Sequence, residues 1–400
     1  MKTNRRNVLS YFGAGSMVGL GGCLSFNNKD TKNYNYCTSS DSSSNTPDEL
    51  GGWWPMTRFD ANNSAVNTEA EGLTTTEEAW ILDSGGTPVF AHGGLFVLER
   101  QLSVRNPLDG TTCAEVEATE NSAGMPPTVA EGAVYTSTYA GLTAVTLDEL
   151  RTEWQTESFS TVRSPPIVSD GFALVTALTD SDETVGLRAY DTETGTLRWQ
   201  YVTNRPFWSI PSVGSSAVYA TTERGLHAVN LDDGSERFVL EESGFDTTIP
   251  VVSDGRVYCR RHLGENTFEL VCLDAGAGDI HWRRDLGADV SSPPVAHPDF
   301  LLVESERGLL RIDTQSDGDG EAIYWGGSPL AVVGDVVYVQ AGSAGEELHA
   351  LSVDEEPLWT YTTGQKKRGD EVDVGIRGIA PVSGGVFVSA ADGIHSLLST

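Results

Sequence analysis

Residues 164–177 and 185–199 read SPPIVSDGFALVTA and VGLRAYDTETGTLRW, and residues 209–238 read SIPSVGSSAVYATTERGLHAVNLDDGSERF. Both stretches place a proline before a short apolar run, then a turn, two further apolar runs, a glycine turn and an aromatic residue. The order recurs eight times, with anchor prolines at Pro88, Pro127, Pro166, Pro211, Pro250, Pro294, Pro329 and Pro381. Their separations of 39, 39, 45, 39, 44, 35 and 52 residues are typical of a four-stranded propeller blade.

Each copy predicts four short strands, which we call A to D, with turns between them. The C–D connection places a short polar residue four positions before a glycine, as in Asp191 and Gly195. The polar side chain bonds the turning backbone, and glycine accepts a positive φ. One such sheet cannot bury both of its faces, whereas eight sheets around an axis can. The sequence therefore predicts an all-β fold, an eight-bladed β-propeller of four-stranded antiparallel blades.

The last copy lacks its fourth strand. Pro381 to Gly384 supplies A, Val386 to Ala390 supplies B and Gly393 to Leu398 supplies C, with no D strand after them. A D-like segment, Glu77 to Leu82, precedes the first copy. We expect this N-terminal strand to complete the last blade and close the ring.

The first residues predict export and lipidation. Arg5 and Arg6 precede a short apolar stretch, and Leu20 to Cys23 forms a lipobox. The chain is expected to leave by the twin-arginine route and to be lipid-anchored at Cys23 to the outer face of the cytoplasmic membrane. A cytosolic protein with a chance arginine pair and cysteine is the alternative. The expected segments are a twin-arginine signal peptide with lipobox at 1–22, a lipid-anchored flexible linker at 23–48 and the propeller at 49–400.

The composition is strongly acidic. Asp and Glu number 57 against 26 Lys and Arg, a formal net charge of −31. Such a surface suits concentrated salt, which screens its self-repulsion, and it argues against nucleic acid as a partner. We therefore expect a halophilic protein and a monomeric ring; an ordinary acidic secreted protein is the alternative.

The start of the propeller carries a family resemblance. Residues 54–65, WPMTRFDANNSA, resemble the lead-in of PQQ-like (pyrroloquinoline quinone-like) β-propeller repeat proteins, which include BamB-type lipoproteins and quinoprotein dehydrogenases. The eight repeats resemble the same family, so the resemblance covers about residues 50–400. With the acidic composition, it indicates a haloarchaeal member. The resemblance implies the fold, but one fold hosts many functions.

The quinoprotein branch of that family implies an enzyme alternative. Its members hold PQQ in the central funnel, over a Trp and below a disulfide between adjacent cysteines, with a Ca²⁺ bound by Glu, Asn and Asp. This chain has no Cys-Cys pair and no haem-binding Cys-x-x-Cys-His segment. We therefore expect no cofactor and no catalytic residues, and keep PQQ with Ca²⁺ as the alternative. His227, His349 and His395 share one strand C slot in different blades, too far apart to bind one metal, so no metal site is expected.

Aromatic residues recur at the end of strand D. We expect them to lock adjacent blades together and not to form a ligand cage. The slot is assigned to Trp80, Trp154, Trp199, Trp282, Trp325 and Trp359, with Ala114 and Phe238 in the other two copies.

Two cysteines fall in the same predicted blade. If Glu265 and Asn266 are the two turn residues, Cys259 and Cys272 lie directly opposite each other, and a cross-strand disulfide is sterically possible. The interpretation that we favour is two buried free thiols. Cys37 and Cys113 have no evident partner in the sequence.

The D–A and B–C connections share one face of a propeller, so the residues before each anchor proline are expected to form a binding face. Its candidates are Arg163, Arg205, Phe207, Trp208, Lys366, Lys367, Arg368 and Arg377. Phe207 and Trp208 form the expected aromatic anchor, with packing against the next blade as the alternative. Lys366 to Arg368 forms a basic run in the longest D–A loop; self-neutralisation by Asp370, Glu371 and Asp373 is the alternative.

These observations predict a cell-surface lipoprotein whose non-catalytic propeller binds protein partners as a scaffold. A quinone (PQQ)-dependent oxidoreductase and a polysaccharide-binding module are the alternatives, and the second depends on Trp208.

Overall fold

The computed structural model describes residues 36, 50–116, 125–138, 141–156, 162–178, 185–245, 247–324, 326–368 and 371–400. The predicted leader and linker, with Arg5, Arg6 and Cys23, lie outside these ranges. All regular structure in the described residues is β, and no helix long and apolar enough to cross a membrane occurs there. The strands up to the middle of the chain are β1 Val66–Asn67, β2 Glu77–Leu82, β3 Val89–Ala91, β4 Gly94–Leu98, β5 Leu102–Arg105, β6 Thr112–Val116, β7 Thr128–Ala130, β8 Ala133–Thr138, β9 Gly141–Thr146, β10 Thr152–Gln155, β11 Ile167–Ser169, β12 Phe172–Leu178, β13 Val185–Asp191, β14 Leu197–Tyr201, β15 Ser212–Val213, β16 Ala217–Thr222, β17 Gly225–Asn230 and β18 Glu236–Leu240. The remaining strands are β19 Val251–Ser253, β20 Arg256–Gly264, β21 Thr267–Asp274, β22 Ile280–Ala288, β23 Val295–Ala296, β24 Phe300–Ser305, β25 Gly308–Asp313, β26 Gly320–Tyr324, β27 Ser328–Val333, β28 Val336–Ala341, β29 Glu347–Ser352, β30 Pro357–Thr362, β31 Lys366–Arg368, β32 Glu371–Asp373, β33 Ile376–Val382, β34 Gly385–Ala390 and β35 Ile394–Leu398.

The strands form eight four-stranded antiparallel blades, which confirms the predicted β-propeller. Blades 1 to 6 are β3–β6, β7–β10, β11–β14, β15–β18, β19–β22 and β23–β26; blade 7 is β27–β30, and blade 8 is β33, β34, β35 and β2. The short strand β1 adds a parallel fifth strand to blade 7, beside β27. Strands B and C are buried on both faces, as in β16, because each blade packs against a neighbour on either side. Strand D is half exposed at the rim.

The N-terminal strand closes the ring as the sequence predicts. β2 pairs antiparallel with β35, and Trp80 lies opposite Ser396. Blade 8 therefore combines strands from the two ends of the propeller sequence, so that neither end can leave without opening the ring.

In six of the eight blades an aromatic residue of strand D locks the blade to the next one. Trp199 of blade 3 packs on Gly234 in the C–D turn of blade 4, and its Nε1 donates a hydrogen bond to Leu231 O at 2.7 Å. A Cβ on Gly234 would approach the indole to 2.6 Å, so the turn requires glycine. The predicted slot residue of blade 6, Trp325, is wrong. Strand register places Ala322 in that slot, and Trp325 lies outside the described residues. The slot residues of the other blades are Trp80, Ala114, Trp154, Trp199, Phe238, Trp282 and Trp359.

Residues 51–67, which we call the lead-in, run around the axis of the ring. Backbone N–H groups of the inner strands donate hydrogen bonds of 2.7–3.0 Å to lead-in carbonyls. The donor and acceptor pairs are Phe90 and Trp54, Val129 and Pro55, Val213 and Ala61, Val252 and Asn62, Ala296 and Ser64, and Val332 and Ala65. Because strand A is the inner edge of every blade, these bonds satisfy groups that would otherwise point into the channel. The lead-in therefore occupies the axis at the level of the inner strands.

Two polar side chains anchor the lead-in. Asn63, fully buried, donates from Nδ2 to Pro211 O at 3.0 Å, and Arg58 donates from Nε to Asn63 O at 3.0 Å. Arg58, Phe59, Asn63 and Ala65 all have positive φ, which non-glycine residues adopt only where surrounding contacts hold them.

The possible disulfide between Cys259 and Cys272 does not form. Both cysteines are free and buried. Glu265 and Asn266 do form the turn, with φ of +51° and +62°. However, a register shift between His262 and Gly264 displaces the pairing by one residue.

That displacement separates the two thiols. Cys259 pairs with Val271, and Cys272 pairs with Tyr258. A one-residue offset turns two side chains to opposite faces of a sheet. The interpretation of Cys259 and Cys272 as two buried free thiols is therefore confirmed. Cys113, which had no evident partner, is disulfide-bonded, and Cys37 lies outside the described residues.

Candidate binding face

The connections of the blades divide into two faces. We call the face with the B–C turns and D–A loops the upper face. Its described residues are 83–88, 99–101, 125–127, 162–166, 202–211, 223–224, 241–245, 247–250, 265–266, 289–294, 306–307, 326–327, 342–346, 363–368, 371–375 and 391–393. We call the face with the A–B and C–D turns the lower face. Its residues are 92–93, 106–111, 131–132, 147–151, 170–171, 192–196, 214–216, 231–235, 254–255, 275–279, 297–299, 314–319, 334–335, 353–356 and 383–384.

Arg163 and Trp208 meet on the upper face. The Arg163 guanidinium lies 4.9 Å from the centre of the Trp208 ring, and Trp208 is 41% exposed. Each residue comes from a different D–A loop, before blade 3 and before blade 4. A cation over an exposed indole forms a flat amphipathic platform. This pair is the part of the predicted face that the structure brings together.

Phe207 is not part of that exposed platform. Its side chain is fully buried, and its ring lies 5.2 Å from that of His227. For this residue the alternative, packing against the next blade, is correct.

Arg205 borders a cleft between blades 3 and 4. It forms an ion pair with Glu223 at 2.7 Å. The cleft has a volume of about 410 Å³, and polar groups make up most of its lining: Thr203, Asn204, Arg205, Thr222, Arg224, His227, Val239, Glu241 and Ser243. Sequence reasoning missed Arg224, which the Glu-Arg-Gly motif at 223–225, repeated at 306–308, would have indicated.

The basic run lies on a small hairpin inserted before blade 8. β31 pairs with β32, and Lys366 forms an ion pair with Asp83 at 2.6 Å. Arg377 pairs with Asp373, whereas Asp370 and the side chain of Arg368 lie outside the described part. The hairpin and the Arg163–Trp208 pair lie four blades apart in an eight-bladed ring. They therefore cannot form one compact site.

The three histidines of strand C belong to the seams between blades. His227 Nδ1 bonds Tyr201 Oη at 3.2 Å, and His395 Nδ1 bonds Tyr361 Oη at 2.8 Å. Tyr324 and His349 repeat the contact. Burial lowers the pKa of His227 to about 4, against a smaller opposing effect of Glu236. Among the described residues no group of three His, Cys, Asp or Glu side chains is arranged to hold a metal ion.

The axis does not fit the quinone site that the family resemblance suggests. Lead-in residues from Trp54 to Ala65 line the channel at the level of the inner strands, whose backbone N–H groups they bind. No disulfide between adjacent cysteines exists in this sequence. The acidic residue at the axis, Asp60, is engaged by Ser64 through two hydrogen bonds of 2.7 and 2.8 Å. These residues offer no set of Glu, Asn and Asp ligands for Ca²⁺ below a quinone.

Comparison with known proteins places the chain in a family. A protein-family model described as outer membrane protein assembly factor BamB matches residues 75–238, 181–268 and 239–323. Outer membrane protein assembly factor BamB of Yersinia pestis is 26% identical over 226 residues, which are 50% of this chain and 54% of that protein. The match thus spans about half the length of this curated relative.

Solved structures share the architecture. BamB from Moraxella catarrhalis superposes with a TM-score of 0.60 at 15% identity, over 82% of this chain and 100% of that chain. Quinohemoprotein alcohol dehydrogenase from Comamonas testosteroni gives 0.61 at 13% identity, over 86% and 80%. At these identities the likeness shows the fold alone. The family match covers most of the propeller, and the chain therefore belongs to the PQQ-like repeat family whose model is described as outer membrane protein assembly factor BamB.

Proposed function

We propose that this chain is a cell-surface lipoprotein whose non-catalytic propeller binds protein partners through its upper face. The observation that carries the proposal is the path of the lead-in. Because residues 54–65 occupy the axis at the level of the inner strands, the surfaces left for recognition are the loops around it. Fixed loops on a closed ring suit a scaffold, since the rigid fold presents them without an ordering cost on binding.

The BamB-type relatives support a protein partner, because the name outer membrane protein assembly factor assigns them to the assembly of outer membrane proteins. We carry over only the general role of a protein-binding module. Export by the twin-arginine route through Arg5 and Arg6, and lipidation at Cys23, would hold the module at the outer face of the cytoplasmic membrane. Metabolic labelling with a radioactive fatty acid tests the anchor: a Cys23→Ala chain should lose the label.

Cross-linked co-purification from intact membranes at high salt tests the scaffold. The full chain should capture a stoichiometric protein partner. A Lys366/Lys367/Arg368→Ala variant tests the hairpin, and Arg151→Ala on the lower face is the control. Loss of the partner in the hairpin variant alone would place the contact there, and retention would move it to the Arg163–Trp208 side. Absence of any stoichiometric partner in the wild-type chain would contradict the scaffold.

The platform of Trp208 and Arg163 supports a second candidate, a polysaccharide-binding module, because sugars stack on exposed aromatic rings. Glycan binding that Trp208→Ala abolishes would favour it over the scaffold. The quinone-dependent oxidoreductase predicts dye reduction with alcohols or sugars after addition of PQQ and Ca²⁺. We expect none, because the axis does not fit the cofactor.

A further inference from the structure

The charges of the two faces differ. Every C–D turn of blades 1 to 7 on the lower face contains Asp or Glu, and Arg151, paired with Glu149 at 2.5 Å, is the one Lys or Arg among the lower-face turn residues. Strand residues Arg237, Arg256 and Arg311 donate hydrogen bonds to acceptors in these turns. A lower-face cleft of about 730 Å³ between blades 2 and 3 is lined by Glu131, Glu153, Asp170, Asp191 and Glu193 with a single arginine, Arg198. The described upper-face residues include eight Lys or Arg against twelve Asp or Glu, so the upper face is much less acidic than the lower face. An acidic partner would therefore be repelled less strongly from above than from below.

A Glu-Arg pair recurs in the B–C turns of the upper face. Glu99-Arg100 lies in blade 1, Glu223-Arg224 in blade 4 and Glu306-Arg307 in blade 6. We call these three pairs the Glu-Arg turns. Blades 4 and 6 share their hydrogen bonds as well: the hydroxyl of Thr222 or Ser305 accepts from the arginine N–H and donates to the following glycine carbonyl. The turn is thus a built and repeated structure.

The two residues of each Glu-Arg turn have different contacts. Each glutamate binds the preceding blade: Glu99 accepts from Gly85 N at 2.9 Å, Glu223 pairs with Arg205 at 2.7 Å, and Glu306 accepts from Ala288 N at 3.4 Å. In the described part of the chain, the three guanidinium groups make no hydrogen bond or ion pair, and all three residues are exposed. The glutamates therefore hold the turns while the arginines remain available.

Three unpaired guanidinium groups are informative because the chain is acidic. With 57 acidic against 26 basic residues, an unpaired arginine has many intramolecular carboxylates with which it could pair. Two arginines of blade 5 do form such intramolecular pairs: Arg261 and Arg283 both pair with Glu242 and Glu269 at 2.6–2.9 Å. Bidentate contact with carboxylate also survives concentrated salt, where the Debye length is about 3 Å at 1 M and only touching charges interact.

Tyr36, which belongs to the predicted linker, contacts the lower side of the ring. Tyr36 donates from its hydroxyl to Leu147 O at 2.8 Å, in the C–D turn of blade 2, and its ring packs edge-on against Phe96. Cys23, the proposed site of lipidation, precedes it by 13 residues. The lower face would then lie towards the membrane and the upper face away from it.

We infer that the upper face docks an acidic protein surface through Arg100, Arg224 and Arg307, with the cleft beside Arg224 receiving one acidic side chain. The inference rests on the proposed function, of which it specifies the partner. Blades 1, 4 and 6 spread the three arginines around the ring, so the surface fits a broad partner and not one small anion. Arg205 and Arg224 line the same 410 Å³ cleft. Arg205 is already paired with Glu223, so the Arg224 guanidinium is the group left for an incoming carboxylate.

A charge-reversal experiment tests the inference. The full chain is immobilised, and poly-L-glutamate is the probe at about 1 M KCl, with neutral poly-L-glutamine beside it. Arg100/Arg224/Arg307→Glu should weaken poly-L-glutamate binding by at least about tenfold. The control Arg151/Arg198/Arg237→Glu makes the same change of net charge outside the upper face, and should bind within about twofold of wild type. Equal melting temperatures of the two variants establish that both are folded.

Three outcomes would overturn the inference: no binding to the wild-type chain, equal loss in both variants, or binding of polygalacturonate in place of poly-L-glutamate, which would make the occupant an acidic polysaccharide.

Failure of the proposed function gives a different result. If the membrane cross-link captures no partner but the probe result holds, the scaffold is wrong and the site stands. If a partner is captured equally by wild type and by the Arg100/Arg224/Arg307→Glu variant, the scaffold stands and the site is wrong.

Discussion

Single glycines decide how closely blades approach. Gly234 and Gly255 have nearly the same φ, +69° and +71°, but a Cβ on Gly234 meets the Trp199 ring at 2.6 Å, whereas one on Gly255 meets nothing within 4 Å. Gly255→Ala should therefore lose about 1–2 kcal/mol for the left-handed backbone alone. Gly234→Ala should lose a further 1–3 kcal/mol or so for the clash. Urea unfolding at one fixed, high KCl concentration measures both, and equal losses would contradict the inter-blade lock.

A single histidine should make one seam sensitive to acid. Burial lowers the pKa of His227 to about 4, so the folded protein favours neutral imidazole. Its contribution to the free energy of unfolding is complete above the ordinary value of 6.5 and is lost as the pH falls from there towards 4. After discounting for partial exposure, the loss is on the order of 1–2 kcal/mol.

The comparison of wild type with His227→Gln isolates that loss. Burial raises the pKa of Asp60 to about 6, which has the opposite sign and stabilises the fold as the pH falls, but it is common to both chains. Melting temperatures from pH 7 to pH 4 should fall more steeply for wild type than for His227→Gln. His281→Gln, at an exposed position of blade 5, should follow the wild-type curve. Parallel curves for all three chains would contradict the assignment.

The closing strand gives the ring its cooperativity. β2 joins the first part of the chain to β35 through five paired positions from Glu77 to Leu82. Replacing Glu77–Leu82 by a Gly/Ser stretch of equal length should lower the melting temperature of the whole molecule and broaden its transition, because blade 8 then lacks an outer strand. The same replacement of residues 366–373, which belong to no blade, is the control. An unchanged, cooperative melt in the first variant would refute the closure.

The elements that the sequence predicts well are those bounded by regularly spaced prolines and glycines. Anchor prolines and turn glycines mark the blade boundaries, and Glu77–Leu82 was recognisable as strand D because the last repeat lacked one. The failures have local causes. A β-bulge after His262 displaces Cys272 by one residue, and an irregular strand end in blade 6 puts Ala322 where Trp325 was expected. Neither shift leaves a mark in residue composition.

The candidate site was less predictable because it depends on contacts between distant loops. Exposure of Trp208 and burial of its neighbour Phe207 follow from how two D–A loops meet, and both residues looked alike in sequence. The sequence also did not predict the path of the lead-in around the axis. Its backbone carbonyls, not its side chains, bind the inner strands, and carbonyls are present in every residue.

At the scale of the whole molecule, repulsion between carboxylates opposes the stabilisation that comes from burying the apolar strands. The formal charge of −31 is concentrated where turns crowd together on the lower face, so adjacent carboxylates repel one another in dilute buffer. Asp232, Asp233 and Asp354 are examples, each in a C–D turn. Burial of apolar strands B and C must offset this repulsion. Salt should therefore change the stability of the ring without changing its contacts.

The melting temperature should rise with KCl concentration, with most of the increase below about 1 M, where the Debye length has fallen to about 3 Å. Replacing Asp148, Asp232 and Asp354 by asparagine should raise the melting temperature in dilute buffer and flatten the curve, because three lower-face charges are gone while turn-forming side chains remain. Thr/Ser exchanges at Thr196, Ser235 and Thr314 leave charge unchanged and should keep the wild-type slope. Scanning calorimetry from dilute buffer to saturating KCl provides the measurement. A wild-type melting temperature that does not change with KCl concentration would contradict the halophilic interpretation. Equal slopes for the asparagine variant and the wild type would show that the salt does not act through the lower-face carboxylates.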